Sequence, residues 1–209
     1  MKADGDASSP AGEATSVRVW DLPVRLVHWV IVVLMAVSWS TAEYDWIEWH
    51  KVSGYSMLAV VSFRLYWGFR GSTTARFKQF VRGPAAVVRH ARSLFSRPER
   101  SAELGHSPLG GWNVIAMLLL LLLQVCLGLF AIDVYGIESG PLADLISFDA
   151  GRRIARLHQS VFNLLCVFVS LHVVAILGYL FFRRENLILP MVTGVKRVLR
   201  GDAERGDGR

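Results

Sequence analysis

Apolar positions along this 209-residue chain gather into four long runs, at about residues 24–42, 51–69, 112–132 and 157–182, separated by charged segments. At 1.5 Å per residue, a helix of about twenty residues spans the ~30 Å hydrocarbon core of a bilayer. None of the runs alternates with period 2, which argues against strands. A backbone in lipid satisfies its own polar groups only as a helix or a closed barrel. The pattern therefore predicts an all-α membrane protein, a four-transmembrane-helix bundle. Residues 1–16 are small, polar and partly acidic, with no apolar run, and read as a disordered tail rather than a signal peptide. Residues 17–195 read as one membrane domain and 196–209 as a polar basic tail.

Composition agrees with the membrane assignment. The chain is 53% hydrophobic and its mean hydropathy is +0.38, too apolar for an ordinary soluble domain. Arg and Lys are concentrated in two places. The connection from Arg64 to Gly111 holds nine of them against Glu99 and Glu103, and the segment after Phe182 is also basic. The turn at Glu43, Asp45 and Glu48 has only Lys51. By the positive-inside rule, the basic segments and both termini are cytoplasmic. The net charge of +6 is then a signal of topology. No basic patch with interleaved aromatics points to nucleic acid.

The intramembrane histidines carry the chemistry. His158 and His172 are fourteen residues apart in one run, which on a helix separates them by roughly 21 Å along the axis and about 40° around it. Both rings face one side, near opposite faces of the bilayer. His28 falls at the inner end of the first run, and His50 at the outer end of the second, after a Trp- and Tyr-rich belt. Topology pairs His50 with His158 and His28 with His172. A lone intramembrane histidine ordinarily hydrogen-bonds to a neighbouring helix. Four at two matched depths point instead to axial ligands of two haems, stacked across the membrane.

Other residues fit that arrangement. Gly54, one turn after His50 on the same face, would let a flat macrocycle approach the backbone. Arg64 stands fourteen residues after His50, at the inner level, as partner for a haem propionate. Arg153 and Arg156 could serve the outer haem in the same way, or simply snorkel to the interface. Gln124 and Gly128 offer interhelical contacts in the third run, which has no histidine. Cys126 and Cys166 lie inside the runs and no C-x-x-C-H occurs, which excludes c-type haem attachment and a Cys-ligated iron–sulfur cluster. Residues 84–95 read as an amphipathic surface helix holding His90. His106 sits in the turn-rich G-H-S-P-L-G-G before the third run, as a loop-packing residue or part of a quinone pocket.

Five motifs carry a resemblance: W-D-x-x-x-R-x-x-H-W at 20–29, H-K-x-x-G at 50–54, R-x-x-W-G-x-x-G-S-x-x-A-R-F-x-x-F at 64–80, G-H-S-P-L-G-G at 105–111, and H-Q-x-x-F-N at 158–163 with a second His fourteen residues after the first. The chain resembles the bacterial cytochrome b561 family, which includes the b-type subunits of nickel-iron hydrogenases, over about residues 17–195. The resemblance implies two haem b groups ligated by His28, His50, His158 and His172. It also implies a multi-pass protein of the bacterial inner membrane, passing electrons between a periplasmic partner and the quinone pool. That partner would be a dehydrogenase, a hydrogenase or a c-type cytochrome, to which the acidic outer residues are suited. A stand-alone superoxide oxidase reducing ubiquinone is the second possibility, and a non-redox metal carrier or membrane anchor the third.

Overall fold

The computed structural model describes residues 14–80, 83, 88, 108–133, 138–182 and 184–199. Four long helices dominate: α1 (Leu22–Glu43), α2 (Ile47–Arg70), α4 (Pro108–Phe130) and α5 (Phe148–Phe182). Short helices α3 (Phe77–Phe80) and α6 (Ile188–Thr193) follow α2 and α5. The Asp21 carboxylate accepts from the Val24 N–H and Pro23 lies in the first turn, so α1 begins with a side-chain cap and a proline whose missing N–H costs nothing there. At its far end, Asp45 takes a positive φ of 57° in the tight turn to α2.

Four spans were expected, and among the described residues three helices are both long and apolar enough to cross a membrane: α1, α4 from Leu109, and α5. Helix α2, at 24 residues, has the length, but Glu48, Lys51, Arg64 and Arg70 lower its hydropathy. Helix α5 begins at Phe148, nine positions before the expected 157, and its 35 residues extend about 52 Å, well past the hydrocarbon core. The expected surface helix at 84–95, with His90, and the His106 turn lie outside the described residues.

Close packing runs from α1 to α2, α2 to α4 and α4 to α5. At mid-height, Met57, Val61, Leu121 and Leu165 form an apolar layer, in which Val61 and Leu165 are almost wholly enclosed. A second cluster, Val19, Trp20, Val24 and Ala75, with Trp67 and Met191 against it, closes the inner end.

Strands β1 (Ala14–Arg18) and β2 (Val195–Leu199) pair antiparallel, with Ala14 opposite Leu199 and Arg18 opposite Val195. Residues 14–16, expected within the N-terminal tail, are thus rungs of a ribbon, and residues 196–199 of the expected C-terminal tail are its other strand. Gly194 makes the turn into β2 at φ 85°, and its carbonyl accepts from the Val19 and Trp20 N–H groups. The ribbon therefore sits directly under the start of α1.

Candidate functional site

Contacts between neighbouring helices fix which residues are level. Ser38 of α1 meets Ser53 of α2 at 2.7 Å, and the Asp21 carboxylate accepts from Trp67 Nε1 and the Ser72 hydroxyl. In this antiparallel register, Arg64 lies level with Val27 and His28. Between α4 and α5, Gln124 and Gly128 lie beside His158, and Ile132 bonds to Gly151 through the main chain. The same register puts His172 level with the start of α4.

At the outer level, the rings of His50 and His158 approach to 6.3 Å between centroids, nearly perpendicular at 84°. The Nδ1 of His50 is 2.9 Å from the Ser38 carbonyl, and that of His158 is 2.9 Å from the Gln124 carbonyl. A carbonyl has no hydrogen to give, so both Nδ1 atoms carry the proton, and both Nε2 atoms of the neutral rings keep a lone pair. The Gln124 side-chain amide reaches that lone pair of His158 at 3.1 Å. Around His50 the Ser53 hydroxyl donates to the His50 carbonyl at 2.9 Å, and Thr41 Oγ1 bonds the Ser38 carbonyl at 3.1 Å. Gly128 is glycine for a reason of space, since a Cβ there would stand 3.1 Å from His158 Cε1.

At the inner level, His28 and His172 are each half-buried. The His28 Nδ1 is buried and without a hydrogen-bond partner among the described residues. Arg64 is only 6% exposed, with its guanidinium 5.0 Å over the Phe77 ring. Its Nη1 is a buried donor with no partner among the described residues. Among the described residues, the carboxylate acting on it is Asp21. Burial by itself raises the Asp21 pKa, but hydrogen bonds from Ser72, Trp67 and the Val24 N–H, together with the Arg64 charge, outweigh it. The carboxyl sits below its ordinary value.

The remaining candidates divide. A Cβ at Gly54 would meet nothing within 4 Å, so open space lies beside it. Arg153 and Arg156 are exposed and form no ion pair among the described residues. Sequence reasoning missed Asp21, whose signal was an N-cap residue two positions before Pro23. It also missed the carbonyl partners of the rings, which leave no trace in side-chain identity.

The helices and the level histidines define a helical membrane protein with imidazoles set across helix pairs that do not themselves pack closely, α1 with α5 and α2 with α5. The prokaryotic cytochrome b561 family matches residues 19–194, and the chain belongs to that family. It is a b-type cytochrome of electron transfer, embedded in the lipid bilayer and carrying haem b. No curated protein and no solved structure matches it.

The outer pair fits that cofactor. Two metal–imidazole bonds of about 2 Å each across one ion, with about 1 Å from each bonding nitrogen to its ring centre, span about 6 Å. The ring spacing has this value, and the N–H of each ring is already committed to a carbonyl, as in ligating histidines generally; the Gln124 amide, 3.1 Å from the His158 Nε2, would have to turn aside for the metal. The buried Arg64 Nη1, unpartnered among the described residues, fits a carboxylate such as a propionate.

Proposed function

We propose that the chain is a di-haem cytochrome which conducts electrons between a periplasmic redox partner and the membrane quinone pool. His50 and His158 would hold the outer haem, and His28 and His172 the inner. The observation that carries this reading is the outer pair: two level rings at 6.3 Å, each with its Nδ1–H fixed on a main-chain carbonyl at 2.9 Å. Haem b supplies a one-electron iron centre. With imidazole on both faces no coordination position is left for dioxygen. Arg64 would neutralise a propionate at the inner level, and Gly54 would leave room for the porphyrin. The quinone would react at the inner end, near Arg64.

The ribbon supports an even number of crossings, and the positive-inside rule supports cytoplasmic termini. Strands β1 and β2 pair, so residues 18 and 195 lie on one side of the membrane and the chain between them crosses an even number of times. With α1, α4 and α5 apolar enough to span, the fourth crossing falls to α2, whose charged residues lie toward its ends and at the inner level.

The outer face supports a cationic protein partner. Asp45, Trp46, Ile47, Glu48, Trp49 and Glu138 line a cleft of about 420 Å³, and Trp49 is the residue just before His50. Opposite charge speeds encounter and orients it.

The test is spectroscopic. The purified chain should hold two b haems, give low-spin spectra when reduced, and keep most of its signal when exposed to carbon monoxide. One haem per chain, or a large carbon monoxide shift, would sink the reading. Reporter fusions after residues 45, 90, 140 and 199 should place 45 and 140 outside and the other two inside.

A further inference from the structure

Helix α5 carries a second pattern, on the side turned away from its histidines. Ser160, Asn163, Val167, Ser170, Val174 and Leu177 follow one another at alternating steps of three and four residues, and all six are exposed. At 100° per residue they fall within about 100° of one another, roughly half a turn from His158 and His172. This spacing is that of a seam between two supercoiled helices. Among the described residues, the only long helix packed closely against α5 is α4, which leaves the seam uncovered.

Its chemistry is not that of a face turned to acyl chains. Helix α4 presents Leu119 and Leu123 outward, whereas α5 presents two serines and an amide. Asn163 lies about 7 Å and Ser170 about 18 Å inward of His158, so both fall within the hydrocarbon. Gln159, also exposed, donates from Nε2 to Asn163 Oδ1 at 3.3 Å. Among the described residues the Asn163 Nδ2 donors and the Gln159 Oε1 acceptor are left over. An unpaired polar group in hydrocarbon is costly. Between two membrane helices, by contrast, amides and hydroxyls bond across the contact and small residues let the backbones approach.

We infer that this face of α5 is where two copies of the chain meet, as a parallel pair of α5 helices about a two-fold axis along the membrane normal. Copies inserted in one orientation place each seam residue level with itself. An amide suits such a contact because it both donates and accepts. The spare Asn163 donor of one copy meets the Gln159 or Asn163 oxygen of the second copy, and the two-fold repeats the bond. Ser160 and Ser170 provide the close approach. From 160 to 177 the seam runs about 26 Å, most of the hydrocarbon thickness, and its repeat sets a left-handed crossing near 20°. Arg156, one step further out, faces its counterpart at the outer boundary, where its long side chain extends into water.

The experiment is cysteine cross-linking of the full, haem-loaded chain with Cys126 and Cys166 changed to Ala. The chain is placed in vesicles of phosphatidylethanolamine and phosphatidylglycerol at high dilution in lipid. Under mild oxidation, Ser170→Cys and Val174→Cys should each give a disulfide-linked pair. Val33→Cys, exposed on α1, should not. Adding Asn163→Leu to Ser170→Cys should cut the yield by roughly threefold or more, the size expected of one interhelical bond in a membrane. Separately, chains labelled with donor and acceptor fluorophores should show energy transfer that Ser170→Phe abolishes. The haem content of that variant should equal the wild type's, because Ser170 lies half a turn from both histidines. If Ser170→Phe does not fold, the cross-linking decides alone. Equal yields from Ser170→Cys and Val33→Cys, or a wild-type chain that is monomeric in vesicles, overturn the inference. A seam filled by another protein's helix gives that same monomer and counts against it too.

Discussion

The outer and inner ends of this bundle are held by opposite means. At the outer end the rings are aimed by the main chain: the carbonyls of Ser38 and Gln124 each take one imidazole N–H at 2.9 Å. The Ser38–Ser53 contact between α1 and α2 and the Ile132–Gly151 main-chain bond that joins the segment after α4 to α5 add to this, and Lys51 reaches Glu138. At the inner end no carbonyl takes the His28 Nδ1 among the described residues, yet the scaffold is braced by parts remote in sequence. Asp21 joins α1 to Trp67 and Ser72, the Arg25 guanidinium donates to the Thr193 carbonyl at 3.0 Å, and the ribbon joins residues 14–18 to 195–199. Main-chain carbonyls of neighbouring helices orient the rings at the outer end, whereas the inner end is held by side-chain clasps and by the ribbon between the two ends of the described chain.

The largest expected effect separates the two levels directly. His158→Ala and His28→Ala should each lower the haem-to-protein ratio to about half, measured by pyridine haemochrome against protein, because an iron that loses one of two axial imidazoles binds weakly. The outer variant should keep the spectrum of the inner site and the inner variant that of the outer. Loss of both haems in either variant would mean that the levels are not independent.

How much of this was legible in the sequence follows from what each feature depends on. Helices α1, α4 and α5 announce themselves through hydropathy, which is local. Helix α2 does so less, since His50, Lys51 and Arg64 dilute it. The heights of the histidines follow from helix geometry alone. Gln124 and Gly128, marked as interhelical contacts, both lie against His158. The ribbon was not legible because its strands are about 180 residues apart and short, so only the folded chain brings them together. The Asp21 clasp was half legible: the cap is written as an acidic residue before Pro23, whereas its bonds to Trp67 and Ser72 are tertiary.

Between the two levels lies the apolar layer, and Leu165→Ala tests whether it separates them. Leu165 is 1% exposed among Met57, Val61 and Leu121, so the truncation should cost roughly 2–5 kcal/mol, read as a lower midpoint of thermal unfolding in detergent. Both haems should remain, since the residue touches neither pair. Haem loss without destabilisation would show that the layer belongs to the sites rather than lying between them.

At the inner end, Asp21→Ala removes a cap and the acceptor for Trp67 and Ser72, for a cost of about 1–2 kcal/mol. The pH dependence has a definite sign. The folded carboxyl lies below its ordinary value of 3.8, so its contribution is fully present above about that pH and disappears as the pH falls through the lowered folded value. The wild type should therefore lose stability faster than Asp21→Ala below pH 4, and the two should converge in stronger acid. Parallel curves would show that the carboxylate is not the charged acceptor described.

The smallest effect belongs to the outer latch, and it sharpens the contrast. Lys51 is 3.0 Å from both Glu48 and Glu138, but the side chains of the two acids are 84% and 43% exposed. Ion pairs this open to water contribute about 0–1 kcal/mol and weaken with salt. Lys51→Met should accordingly cost less than Asp21→Ala, and its cost should vanish as ionic strength rises toward 1 M, where the screening length is about 3 Å. The Asp21 loss should persist at that salt concentration, because its partners are uncharged donors bonded at short range. If both losses disappeared together in salt, the inner clasp would be electrostatic at long range as well, and the two ends would differ in degree rather than in kind.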